Sequence, residues 1–187
     1  MNIVPDLSPI TSKDAGRENL SYVKVSKKET IACDAVIAVV FPTSDIFDAD
    51  FIEGLPEDSV YIHREDWKMF LKSESIVWES KDLIKIKYKG KRAKYLKTES
   101  PTYRYPDVLG IIPSENGKAT ESKETIQIDA ELLARLQKAM LCDSVKLSFY
   151  EKNSSIVVHG FKYNPVAQTH ISPNGAYAVI MPVLQNR

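Results

Sequence analysis

Apolar positions along this chain switch between a period of two and a period near 3.6. Tyr22, Val23 and Val25, a turn at Lys27-Lys28-Glu29 and the Val-, Ile- and Ala-rich run from Ile31 to Phe41 predict a β-hairpin. Val60-Tyr61-Ile62 predicts a short strand. Within His63 to Lys72, Trp67, Phe70 and Leu71 fall at helical spacing and predict a short amphipathic helix. A strand starts at Ile76-Val77-Trp78. Leu83 to Tyr88 alternates, with Ile84, Ile86 and Tyr88 on one face and Lys85, Lys87 and Lys89 on the other. Lys89-Gly90 marks a turn, and Ala93 to Leu96 returns as the second arm of a hairpin. A three-proline connector from Pro101 to Pro113 and a polar linker over 114–123 follow.

Beyond the linker the same order recurs. Ile126-Gln127-Ile128 predicts a strand, and Asp129 is placed to cap a helix from Ala130 to Met140, whose apolar residues are Leu132, Leu133, Leu136, Ala139 and Met140. Val145 to Phe149 and Ile156 to Val158 predict strands around a turn at Asn153-Ser154. Tyr163 to Ser172 is ambiguous, and Pro173-Asn174-Gly175 precedes a last strand from Ala176 to Val183. The two helix starts lie roughly 66 positions apart, so a strand–helix–strands unit occurs twice. The expected class is α+β, with antiparallel sheets and the helices on one face. The expected division is an N-terminal arm over 1–58, with a hairpin and an acidic loop able to hold one helical turn, a first unit with its connector over 59–113, and a second unit over 114–187. Residues 1–19, polar and with two prolines, predict a flexible or draped N-terminus.

Composition narrows the chemistry. Of 187 residues, 25 are basic and 25 acidic, which argues against a general nucleic-acid coat. The balance is local, however: residues 1–58 hold 5 basic and 11 acidic side chains, and residues 59–98 hold 11 and 5. Such division suggests one basic and one acidic side, although two solvated faces without a partner would read the same way. Cys33 and Cys142 stand in no metal or disulfide pattern, and two buried thiols are expected. His63, His159 and His170 lack metal spacing, and neither a nucleophile elbow nor a phosphate loop is present. No enzyme, cofactor or metal is therefore expected. Without a signal peptide or an apolar run of about 20 residues, the expected location is the cytoplasm, with no membrane partner.

Arg104-Tyr105-Pro106-Asp107-Val108-Leu109-Gly110-Ile111-Ile112-Pro113 resembles the R-F-P-D-Y-x-x-[VI]-[LIV]-P connector between domains of bacterial sliding clamps, the processivity subunits of the replicative polymerase. Ala176 to Leu184, with Met181-Pro182-Val183, is similar to that family's Y-[AV]-[IV]-M-P-[MVL] terminus. Val60-Tyr61-Ile62-His63-Arg64 is similar to its V-I-V-P-R segment before a helix. The resemblance covers roughly residues 57–184. It departs at Val108, where the family has an aromatic residue, and at Cys33-Asp34-Ala35-Val36-Ile37-Ala38, which lacks the Gly, His and Arg of the family's T-D-G-H-R-L-A turn.

The resemblance implies a non-enzymatic clamp-like protein reduced to about one domain-equivalent. Copies would pair edge to edge into a homo-oligomeric ring or partial ring. Because six domains close the family's ring, about six copies would be needed. Helix residues Arg64, Lys68, Lys72, Arg135 and Lys138 would face double-stranded DNA without sequence preference. Met181, Pro182 and Val183 would border the groove that receives peptides from a replicative DNA polymerase or other clamp clients; equally, they would form a last buried strand. The Lys85/Lys87/Lys89 face reads best as a lysine-protected sheet edge. The alternative function is a protein-interaction module that keeps the fold without encircling DNA.

Overall fold

The computed structural model describes residues 4–56, 59–98, 104–111, 128–150, 155–166, 169–171 and 175–181. A long sheet is built from β1 (Tyr22–Val25), β2 (Glu29–Cys33), β3 (Ile37–Pro42), β4 (Val60–His63), β8 (Ser144–Ser148), β9 (Ile156–Asn164), β10 (Thr169–Ile171) and β11 (Tyr177–Ile180). Its order is β8-β9-β11-β3-β2-β1-β4, with β10 also pairing β9. A separate three-stranded sheet has the order β5 (Ser75–Ser80), β6 (Leu83–Lys87), β7 (Lys94–Lys97). Every pair among the described strands is antiparallel. The α-helices are α1 (Ala49–Glu53), α2 (Arg64–Phe70) and α3 (Ala130–Ala139).

Local chemistry sets these boundaries. Asp48 and Asp129 cap α1 and α3 by accepting from the Phe51 and Glu131 amides. The apolar run from Ile31 to Phe41, expected as one arm of a hairpin, is two strands. Asp34 Oδ1 accepts from the amides of Val36 and Ile37 at 3.0 and 2.9 Å, and Ala35 adopts a φ of 76°. That Asx turn folds β3 back on β2, so β1–β3 form a meander at the centre of the long sheet.

Alternation along the strands sends one set of side chains to each face. Val23, Val25, Val39, Phe41, Ile62, Val158 and Ala178 meet Trp67 and Phe70 of α2 and Leu132 and Leu136 of α3 in the main core. Both helices thus lie on one face of the long sheet. Ile76, Ile84, Ile86 and Leu96 of the small sheet join the same core. The N-terminal segment, expected to be flexible or draped, is draped and pinned: Leu7 and Ile10 are fully buried, and the Trp67 indole donates to the Pro5 carbonyl at 2.9 Å. The repeat recurs as β4–α2–β5–β6–β7 and α3–β8–β9–β11, but its strands divide between sheets. β11 pairs with β3, which draws the second set into the long sheet. The expected linker over 114–123, most of the strand Ile126-Gln127-Ile128, and the Asn153-Ser154 turn lie outside the described residues.

One close approach joins α1 to the small sheet. Trp78 stacks on Phe51 with ring centroids 5.2 Å apart and donates to the Phe51 carbonyl at 2.9 Å. A Cβ on Gly54 would sit 2.3 Å from Trp78 Cδ1. Gly54→Ala is therefore expected to cost about 1–3 kcal/mol by displacing the indole, read as a lower urea midpoint.

Candidate functional site

Two surfaces carry the expected site residues. The first is the outer side of the helices. On α2, at about 100° per residue, Arg64 sits on the flank of the stripe formed by Trp67, Phe70 and Leu71, whereas Lys68 and Lys72 point farther away. Arg64 is accordingly only 8% exposed; its guanidinium donates to the Ser12 carbonyl at 3.1 Å and lies 3.4 Å from Glu65. Lys68 is exposed but bonded to Glu65 at 2.7 Å, and that hydrogen bond lowers the Glu65 pKa. Lys72 and Lys138 are exposed. Arg135, on the flank of the α3 stripe, turns inward: its Nε and Nη2 donate to the Pro9 carbonyl at 3.1 and 2.6 Å, and Nη2 meets Asp34 Oδ2 at 2.6 Å. The helix faces thus present Lys68, Lys72 and Lys138 beside the exposed carboxylates Glu65 and Glu131. The inward turn of the two arginines was missed by sequence reading, although their places beside the apolar stripes hold the signal.

The second surface lies across the long sheet. There the connector covers a smaller apolar cluster of Leu20, Ile31, Cys33, Ala38, Val40, Tyr105 and Val108, with Tyr61, Tyr177 and Met181 packed against it. Tyr105 is buried, donates to the Ile31 carbonyl at 3.2 Å and lies 5.8 Å from the Tyr61 ring. Asn19 fixes the connector's start by donating to the Arg104 carbonyl at 3.0 Å. The Met181 amide donates to the Val36 carbonyl at 2.8 Å, which brings the chain after β11 onto the β2–β3 turn. Val36 is 37% exposed and Leu109 40%, so apolar surface remains beside the covered cluster. The connector, Met181 and, through its hydrogen bond to Met181, the β2–β3 turn meet at this cluster, a junction termed the notch. Pro182 and Val183 lie outside the described residues.

Titratable groups here are arranged for packing. Burial pushes the Cys33 thiol up to about 11 and the Tyr105 hydroxyl well above its usual range. In the unfolded chain the thiol ionises near 9.0. Between those values the unfolded state holds fewer protons than the native one, so stability falls as pH rises. Urea midpoints are expected to hold between pH 7 and 8 and to drop above pH 9. Cys33→Ala would remove part of that drop; an unchanged midpoint at pH 10.5 would contradict this assignment. His63 Nδ1 accepts from the Glu65 amide at 3.4 Å at the start of α2. Among the described residues, no three His, Cys, Asp or Glu side chains are grouped to hold a metal ion. No helix among them is long and apolar enough to cross a membrane.

No protein-family model and no curated protein matches the sequence. Solved structures do match. A Helicobacter pylori beta clamp in complex with 5-chloroisatin aligns over 99% of this chain and 66% of its own, with a TM-score of 0.58 and 12% identity. A DNA polymerase sliding clamp from Pseudomonas aeruginosa aligns over 94% and 61%, with a TM-score of 0.58 and 13% identity. The Helicobacter pylori clamp bound to a DNA ligase peptide aligns over 95% and 61%, with a TM-score of 0.59 and 13% identity. The chain spans 61–66% of the length of these clamps. With antiparallel sheets, two helices on one face and this coverage, the chain has the α+β fold of the bacterial sliding clamp.

Proposed function

We propose that this chain is a clamp-like processivity factor that contacts duplex DNA non-specifically on its helix side and holds client peptides at the notch. The observation that carries the reading is the meeting of connector, β2–β3 turn and Met181 at one buried apolar cluster, with Val36 and Leu109 partly exposed nearby, in a chain with the clamp fold. A similar clamp binds a DNA ligase peptide. By analogy, this chain would take short apolar segments of a replicative polymerase or another replication protein, with Pro182 and Val183 extending the notch. On the helix side, Lys68, Lys72 and Lys138 are the contacts this reading retains; Arg64 and Arg135 serve internal ties.

Assembly follows from the sheet. Among the described residues β4 ends the long sheet on one side and β8 and β10, both paired to β9, end it on the other, and edge pairing of β4 in one copy with β8 in the next would close a ring. With about one clamp domain-equivalent per chain, about six copies would be needed to close the ring.

Fluorescence polarisation with the labelled DNA ligase peptide tests the notch. The chain is expected to bind it, and Met181→Glu or Val36→Glu to weaken binding about tenfold or more, the cost of charging an apolar anchor site. Absence of binding at millimolar protein, or equal binding by both variants, would overturn the notch. The second reading, an interaction module without encirclement, is favoured by one observation: Glu65 and Glu131 offset the exposed helix lysines.

A further inference from the structure

The small sheet holds a surface that the notch and the helix side do not use. Between Leu83 and Thr98 the chain carries seven cations, Lys85, Lys87, Lys89, Lys91, Arg92, Lys94 and Lys97, and no carboxylate. Lysines on an edge strand are ordinarily explained as protection against aggregation. That explanation fails for Lys85 and Lys87, because β6 is the central strand, flanked by β5 and β7. Their face points away from the core: Ile84 and Ile86 are fully buried, while Lys87 is exposed.

The same face carries an aromatic ring. Tyr95 on β7 pairs directly with Lys85 on β6 and is 52% exposed, and the Lys85 ammonium lies 5.6 Å from its ring centroid. Lys97 is two positions further along β7 and Lys87 two along β6. Side chains two apart on a strand project in parallel, roughly 7 Å from one another, a separation close to that of successive phosphates in an extended strand of nucleic acid. Lys85 and Lys97 have carboxylate neighbours, Glu79 at 3.0 Å and Asp82 at 3.9 Å. Lys87, Lys89, Lys91 and Arg92 form no ion pair among the described residues. They crowd the hairpin end of the sheet, where Gly90 makes the turn at a φ of 63°.

Cations that track a backbone beside an exposed aromatic ring are the two parts of a single-strand binding platform: phosphates meet the ammonium and guanidinium groups, and a base stacks on the ring. Bases in a duplex are not free to stack on Tyr95, which favours a single strand over a duplex on this face. We propose that the outer face of β5–β7 binds single-stranded nucleic acid, with Tyr95 as the stacking residue and Lys87, Lys89, Lys91 and Arg92 as phosphate contacts. This assignment is independent of the notch and of Lys68, Lys72 and Lys138.

The test is fluorescence polarisation of the full chain with a labelled 20-nucleotide oligothymidylate and, separately, a 20-base-pair duplex, each over a salt series. The single strand is expected to bind more tightly than the duplex at low salt. Lys87→Ala/Arg92→Ala should weaken it about tenfold or more and make the logarithmic salt slope shallower by about 1.4, two phosphate contacts at roughly 0.7 each. Tyr95→Leu should weaken it about fivefold or more with the salt slope unchanged. All three side chains are outside the core, so circular dichroism and the urea midpoint should match the parent chain. Lys68→Ala/Lys72→Ala/Lys138→Ala should leave single-strand affinity intact, which separates failure of this surface from failure of the helix-side reading. Absence of oligothymidylate binding at low salt, tighter duplex binding, or indifference to Tyr95→Leu would overturn the proposal.

Discussion

Trp67→Ala is expected to remove about 3–5 kcal/mol of stability, the usual loss when a large buried aromatic is truncated. A typical domain has only about 5–15 kcal/mol in total, so the variant should populate unfolded chain at ambient temperature. Trp67 is fully buried and joins three parts of the molecule. Its indole N–H donates to the Pro5 carbonyl at 2.9 Å, which pins the N-terminal segment. Its ring meets Phe47 edge-on at 6.1 Å and Phe70 at 5.4 Å. Truncation leaves a cavity between α2 and the long sheet and orphans the Pro5 carbonyl. Trp67→Phe keeps most of the volume but loses the donor, so its loss should be smaller, about 1–3 kcal/mol. Urea denaturation followed by far-UV circular dichroism measures both; a loss under 1 kcal/mol for Trp67→Ala would contradict the packing described.

Arg135→Met should cost about 2–3 kcal/mol. The aliphatic stem is kept, so the loss comes from charge-assisted hydrogen bonds. One guanidinium ties α3 to the Pro9 carbonyl and to Asp34, the residue whose other oxygen holds the β2–β3 turn. Removing it also leaves the Asp34 carboxylate half-buried without its partner. A double-mutant cycle with Asp34→Asn should recover part of the loss as a coupling energy of at least about 0.5 kcal/mol. Because Val36 belongs to that turn, Arg135→Met should also weaken peptide binding at the notch, while duplex affinity stays unchanged. A loss of duplex affinity with normal stability would instead return Arg135 to the DNA-facing surface.

Much of the fold was legible because local periods dominate it. The β4–α2 and α3 segments follow from helical spacing and from Asp129 as a cap, and the β6–β7 hairpin from strict alternation around Gly90. The turn at Asp34 was not legible: an unbroken apolar run from Ile31 to Phe41 does not show where it bends, and a single Asx residue decides it. Nor was β11–β3 pairing, a contact between residues some 140 apart in sequence, which puts the N-terminal meander at the centre of the long sheet. At the site, Met181 and the connector were readable as motifs, whereas their meeting with Val36 depends on that remote pairing. Arg64 and Arg135 were expected to face outward from helical spacing and the clamp resemblance. Their positions flanking the apolar stripes let long side chains reach backbone carbonyls instead.

The central claim is that this chain works as a clamp, and its solution mass tests that most directly. Size exclusion with light scattering at low and high salt is expected to give a discrete closed oligomer near six copies of the 21.1 kDa chain. A monomer of 21.1 kDa at every concentration and both salts would contradict encirclement and leave the interaction module in its place.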